Sequence, residues 1–426
     1  MEHYDQPSAH KELQSMAEKD LVSLLFIPLR CSQIYGVFPL SLASSKLEMT
    51  LSWKIYIFPV FNFLLFMTPS IFSTLHGDDL EAIFKLEGNT DRTAQTVVNI
   101  AAGWVDLVCL VIVIRNRLKI KAFYSEFTST VVNLLAFSYE CDDSDKQATS
   151  LKRHISRMRT TMVFILLLTT AAFLNSGTFY MGIAWKAGYS WLKLYVVFLL
   201  IVYWIVMNQV RLLTFYFWIA MIISFKVGFG SLRILINSVA HENDANNFRT
   251  RKLFPSSDRI TWIVAKYHEM EKLLEEFHNL FGGHLINFCF TSLLPMINIC
   301  FQLVRLPVAS QQAMSWAISG SATLVAVLIS SAVTFCNLCD ASTAMADEAI
   351  GCITDFRDLS SSLPVVHYKI LDEIFLFFTS TLSHPPKISP GNFFTVGRQL
   401  LPPVIGLMTT YLIVLQQFRL EESLDQ

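Results

Sequence analysis

The chain has 426 residues with 33 Lys and Arg against 34 Asp and Glu, and only 16% of its residues are charged, where a soluble protein has about 25%. With 53% hydrophobic residues, 34 Phe and a mean hydropathy of +0.45, the composition is that of a polytopic membrane protein and excludes disordered, collagen-like and disulfide-scaffold classes. A near-neutral balance provides no field for polyanions, so no nucleic-acid partner is expected.

A spanning helix needs about 20 mostly apolar residues. Seven stretches supply them, at roughly 52–74, 95–114, 160–184, 194–222, 283–304, 314–338 and 395–418. The expected fold is an all-α polytopic membrane protein with seven transmembrane helices. The last stretch opens with Gly397, Arg398 and Pro402-Pro403, which membrane helices tolerate. Residues 1–20 are polar and lack the apolar core of a signal peptide, so cleavage is not expected. Basic residues set the orientation. Four lie in 1–50, nine in 115–159, eight in 226–272 and four in 340–398, against six on the other side. That asymmetry places the N-terminus in the cytosol and, after seven crossings, the C-terminus outside.

The chain thus divides into a cytosolic N-terminal segment (1–50), spans one to four with the cytosolic loop 115–159 (51–225), and a cytosolic linker with an amphipathic helix (226–282). Spans five and six (283–340), a second cytosolic segment (341–394) and the last span with a short outer tail (395–426) complete it. Ile260, Ile263, Val264, Tyr267, Met270, Leu274, Phe277 and Phe281 recur at three- and four-residue spacing and predict an amphipathic helix running into span five. A similar stripe, Ile370, Ile374 and Phe377, precedes the last span. Two readings fit such helices: packing within one chain, or an assembly core shared by identical subunits. Cys336 and Cys339 form a C-x-x-C pair on an apolar helix without a second pair or a His at metal spacing, so packing is expected there and no metal or cofactor.

The outer segments are short, so a water-borne ligand has to enter a cleft among the spans, where aromatic walls combine with a few polar groups. The outer halves of the spans offer Asn99, Trp104 and Asp106; Asn175, Thr178, Tyr180 and Trp185; Tyr195, Tyr203 and Trp204; Asn298 and Gln302; and Trp316, Ser319 and Thr323. Taken singly, each reads more readily as packing or as an interfacial aromatic anchor than as a ligand contact. Asp106 and Arg211 are charges within apolar spans, where a charge marks function or a buried pair.

In the last span Thr410, Ile413 or Val414, and Gln417 share one face, and Tyr411, Leu415 and Phe418 the adjacent one. An apolar stripe with a polar residue at each end suits a pore wall; a lipid-facing helix whose Gln416 and Gln417 mark the outer interface is the alternative. The run Thr410-Tyr411, five residues, Gln417-Phe418 resembles the TYhhhhhQF signature of the insect gustatory receptor family, with Gln416 as the one departure from the hydrophobic middle. Gly391-Asn392-Phe393-Phe394 before the last helix and Tyr35-Gly36-Val37-Phe38-Pro39 near the N-terminus are also similar to that family.

The resemblance implies a tastant-gated, non-selective cation channel of the plasma membrane of a sensory neuron, a tetramer of identical or related subunits around a pore lined by the last helix. It implies that Gln417 and Phe418 sit at the outer gate, that Ile413 and Val414 form a dewetting constriction, and that Thr410 and Tyr411 line or pack the inner turns. It also implies that the amphipathic cytosolic helices form an anchor domain carrying most subunit contacts. The family's sugar-sensing clade is similar in having Glu after the Thr-Tyr pair, where this chain has Leu412. That favours a bitter or orphan ligand, with a fructose-responsive receptor as the alternative.

Other classes fit less well. A metabotropic seven-span receptor has the inverse topology, and D-R-Y and N-P-x-x-Y are absent. A transporter calls for paired interrupted helices. An enzyme calls for a convergent constellation that His268-Glu269, without a second His at metal spacing, does not supply. An odorant-receptor-like subunit shares the inverted topology and is the nearest neighbour.

Overall fold

The computed structural model describes residues 6–34, 40–42, 49–51, 115–141, 144–186, 188, 190–244, 256–305, 311–362, 381 and 385–424. The expected spans 52–74 and 95–114 fall outside the described residues, as does the stripe at Ile370, Ile374 and Phe377. The described fold is all-α in character: helices α1 (Gln6–Ile34), α2 (115–139), α3 (Ser144–Lys186), α4 (Trp191–Asp244), α5 (Ser256–Arg305), α6 (Gln311–Ser362) and α7 (Leu401–Leu424). Leu40–Leu42 and Met49–Leu51 pair as a short antiparallel hairpin, with Leu40 opposite Leu51.

The long helices overrun the membrane. At 1.5 Å per residue, the 54 residues of α4 reach about 80 Å, more than twice the roughly 30 Å hydrocarbon core. The expected spans are therefore segments of longer rods that continue into a helical base. Four described segments are long and apolar enough to cross a membrane: Leu151–Thr178, Leu212–Ala240, Ser321–Leu359 and Arg398–Gln417. Between α3 and α4 the chain reverses at Gly188, whose φ of 72° lies in the left-handed region that glycine adopts without strain.

Aromatic rings hold the base together. Phe127 of α2 packs at a tilt on Phe225 of α4 with centroids 4.6 Å apart, Phe225 meets Phe277 of α5 at 5.6 Å, and Trp218 meets Phe281 at 4.9 Å edge-on. Such pairs add about 0.5–1.5 kcal/mol each beyond the area they bury. The α5 stripe turns inward: Ile260, Ile263, Tyr267, Met270, Leu274, Phe277 and Phe281 are buried within this single chain, with Val264 packed against the same core.

Polar links run over the aromatic core. Arg233 of α4 donates to Asp355 of α6 at 2.8 Å and lies 3.5 Å from Glu348, and Gly351 between those acids leaves the guanidinium room against the α6 backbone. Thr130 of α2 donates to Glu269 of α5 at 2.5 Å. Burial pushes the Glu269 carboxyl up, but hydrogen bonds from Lys266 and Thr130 outweigh it and hold the group below the usual carboxylate range. α1 packs along α4 and α3 through Ala17, Leu21, Leu24 and Leu25.

Candidate functional site

The last helix is built and mounted unlike the others. The sequence pattern predicts its start at 395, but the helix begins at Leu401. Residues 385–397 form an irregular strap instead, followed by a 3-10 turn at Arg398–Leu400. The two prolines explain the boundary. Pro402 and Pro403 fall in the first helical turn, where backbone N–H groups have no partner within the helix and a missing one costs nothing.

The strap is tied to two neighbours. Val396 N–H donates to Ile388 O at 2.8 Å, closing it on itself. On the α5 side, Ser389 N–H donates to His278 Nε2 at 3.3 Å. Gly391 crosses Gly282 so closely that a Cβ on Gly282 would stand 3.1 Å from Gly391 N. Gly391 has φ +55°, and a Cβ there would meet Ile286 and the Phe393 ring at 3.0 Å, so both conformation and space call for glycine. On the α6 side, Arg398 donates to Asp340 Oδ1 at 2.6 Å and its backbone N–H to Thr343 Oγ1 at 3.0 Å. Burial lowers the His278 imidazole to about 4, so it meets Ser389 as a neutral acceptor at neutral pH.

Above this mounting, α7 is nearly bare. Among its described side chains, Leu401 to Gln417, only Val404 is buried, and Leu401, Met408, Leu412 and Leu415 are half-buried. Those five fall on one stripe with spacings of three and four. Ile405, Leu407, Tyr411, Ile413 and Val414 are exposed, Ile405 by 62% and Ile413 by 52%. At 3.6 residues per turn, Gly406, Thr410, Ile413 and Gln417 centre about 170° from the packed stripe. The expected pore-lining residues Thr410, Tyr411, Ile413, Val414 and Gln417 are thus all exposed on one chain, and the Phe418 side chain is outside the described residues. The Thr410 hydroxyl donates back to Gly406 O at 2.9 Å, which satisfies it within the helix.

Of the expected ligand residues, Trp104 and Asp106 lie outside the described residues, as do the side chains of Tyr180, Tyr203, Trp204, Asn298, Gln302, Trp316 and Ser319. Thr178 is exposed on α3 and donates to Asn175 O at 2.8 Å. Thr323 of α6 is buried against α3, where it donates to Ala172 O at 2.9 Å and shares a short hydrogen bond with Ser176. The structure adds a polar residue that the sequence pattern did not single out. Gln209 of α4 donates to Thr169 and Thr170 of α3 at 3.1 and 2.8 Å. Its Oε1 is buried with no hydrogen-bond partner among the described residues. An orphaned acceptor in such a place costs about 1–3 kcal/mol, and the donor of a water or a ligand would relieve it. The adjacent amides Asn208 and Gln209 in an otherwise apolar stretch were the available signal.

Comparison with known proteins follows the same lines. A model of the 7tm chemosensory receptor family matches residues 25–422. The fold is similar to the insect olfactory receptor OR5 from Machilis hrabei, with a TM-score of 0.68 at 16% identity, covering 94% of this chain and 100% of that one. The structure of that receptor in complex with eugenol gives a TM-score of 0.65 at 15% identity, covering 96% and 99%. Comparison with curated proteins gave no match.

Proposed function

We propose, from the premise that the chain belongs to the 7tm chemosensory receptor family, that it is a tastant-gated cation channel whose pore is lined by α7 of four identical subunits. It is a multi-pass membrane protein of the insect seven-transmembrane chemoreceptor fold. The observation that carries the pore reading is the bare α7. The 20-residue apolar segment Arg398–Gln417 buries one residue, Val404, in its own chain and has to be covered by something else. Lipid would cover an evenly apolar helix, but the face opposite the packed stripe carries Thr410 and Gln417 at either end of Ile413. Rings of such residues suit a narrow aqueous path with an apolar constriction.

In this reading Ile413 and Val414 form the closed constriction, Gln417 and Phe418 the outer gate, and Thr410 and Tyr411 the inner turns. The helical base faces the cytosol and supplies the subunit contacts. A small amphipathic ligand, bitter by preference and a sugar such as fructose as the alternative, enters from outside among the spans. The neighbourhood of Gln209 and Thr323, where α3, α4 and α6 already exchange hydrogen bonds, supports a ligand site that reaches the pore helix through α6. Asp340 and Arg398 lie on that route. The eugenol complex of the similar olfactory receptor supports a small-molecule ligand.

Whole-cell recording from cells expressing this chain alone, with a G-protein inhibitor present, tests the reading during perfusion with bitter compounds and sugars. A fast cation current that survives the inhibitor is expected, and Gln417→Ala is expected to change its unitary conductance. A response abolished by the inhibitor would instead establish metabotropic signalling.

A further inference from the structure

The polar contacts between α3 and α4 leave one demand unmet, and its sign can be read from the groups around it. The Thr169 hydroxyl donates to Ile165 O at 2.8 Å and the Thr170 hydroxyl to Leu166 O at 2.7 Å, so each has committed its one proton and can only accept. Both oxygens accept from Gln209 Nε2. A reversed amide would set its carbonyl against two oxygens with no proton to give, which fixes the amide nitrogen toward α3 and Oε1 away from it. Gln209 is 6% exposed, and its Oε1 has no hydrogen-bond partner among the described residues. The Nδ2 atom of the adjacent Asn208 is also buried and also without a partner there. By contrast Ser176 and Thr323, about 10 Å along α3 towards the Gly188 turn, bond each other and Ala172 O.

We propose that Gln209 selects ligands by a hydroxyl group: the site takes a small amphiphile with a single hydroxyl, a phenol or an alcohol, whose O–H donates to Gln209 Oε1. This rests on the ligand reading above and narrows it to a chemical class. The two unmet atoms call for a donor and an acceptor, and a hydroxyl carries both on one oxygen. An ether or a hydrocarbon has no donor and leaves Oε1 unpaired. A water held there before binding leads to the same selection, because a ligand that displaces it loses affinity unless it reproduces the donor. One hydroxyl is favoured over several because the surroundings are apolar. Val206, Leu212 and Leu213 lie one turn away on α4, and Ile165 and Leu166 lie beneath the two threonines on α3, so the further hydroxyls of a sugar would be buried unpaired beside them. Thr169 and Thr170 are positioning residues, acting through the amide by holding its carbonyl away from α3.

The test reads ratios of affinities rather than current, so it can fail while the channel reading stands. The purified full chain in lipid nanodiscs is titrated with propylphenol and its methyl ether, octanol and its methyl ether, and fructose, with empty nanodiscs subtracting partition into lipid. The wild type is expected to prefer each hydroxyl compound to its ether by at least about tenfold, and to bind fructose more weakly than propylphenol or octanol. Gln209→Met keeps an unbranched side chain of similar length without the acceptor, and is expected to bring each ratio to about one. A merely structural role for Gln209 would lower both affinities and leave their ratio as it was. Equal affinities in the wild type, an unchanged ratio in Gln209→Met, or no saturable binding of propylphenol and octanol overturns the proposal. Tighter binding of fructose overturns the single-hydroxyl class. Should Gln209→Met fail to fold, Thr170→Val decides the matter. It removes the nearer of the two hydroxyls that orient the amide, so the ratio is expected to fall about threefold, and no fall overturns the proposal.

Discussion

The helical base and α7 are both rich in apolar residues, yet they satisfy them in opposite ways. In the base, Phe225, Phe277, Phe281, Tyr267 and Met270 are closed off from solvent by neighbours in the same chain. Along α7, Ile405, Leu407, Ile413 and Val414 are left open, and the helix is held by a strap, a 3-10 turn and one narrow stripe. Apolarity alone therefore does not say where a residue's partners are. A region complete within one chain governs whether the protein folds, whereas one completed by other molecules governs what the folded protein does.

The difference can be broken most forcefully from the base. Phe277→Ala removes a ring in contact with Phe123, Trp218, Phe225 and Phe281, and a loss of about 3–5 kcal/mol is expected. A thermal melt of the detergent-solubilised chain should shift strongly downward or lose its transition. A smaller effect, confined to acid, is expected at the junction between the two regions. His278 has its pKa lowered by burial from the ordinary 6.5 to about 4. Between those values the unfolded chain binds a proton that the folded chain does not, so His278 makes stability fall as pH drops from 6.5 towards 4, with no contribution above 6.5. His278→Gln keeps an acceptor for the Ser389 N–H without a titrating group, and its melting temperature is expected to vary less with pH in that window.

Substitution on α7 should leave the fold almost untouched. Ile413→Ser and Val414→Ser change exposed positions and are expected to shift stability by about 0.5 kcal/mol or less. Their effect is expected in the resting current, which rises when a constriction loses its dewetting side chains. Equal melting curves with a raised unliganded current would sharpen the contrast between regions. A large loss of stability would show that α7 is also part of the single-chain core.

Much of the fold could be read from the chain because its signals are local and periodic. The α5 stripe from Ile260 to Phe281 is spaced for one helix face, and that face is the buried one. Hydropathy places the last span close to the apolar segment Arg398–Gln417 but averages over Val396 and Gly397, so it does not register that the α-helix itself starts at Leu401 after a strap closed from Val396 to Ile388. Gln209 gives a weak signal for a similar reason, since the pair Asn208-Gln209 hardly alters the mean hydropathy of the apolar residues around it. The ties that mount α7 had no local signal at all. Asp340 and Arg398 are 58 residues apart, His278 and Ser389 are 111 apart, and nothing in either sequence neighbourhood announces the other.

The mounting of α7 gives it the mechanics of a cantilever. Its polar and backbone anchors, from His278 and Gly282 on one side and Asp340 and Thr343 on the other, act at its first turn or just before it, while its 24 residues extend about 36 Å from there with one half-buried stripe along them as far as Leu415. A rotation of about 5° at such a base carries the far end sideways by about 3 Å over that length, comparable to the width of a water molecule. A rearrangement at the clamp too slight to disturb the surrounding rings is thus magnified at the opposite end of the rod.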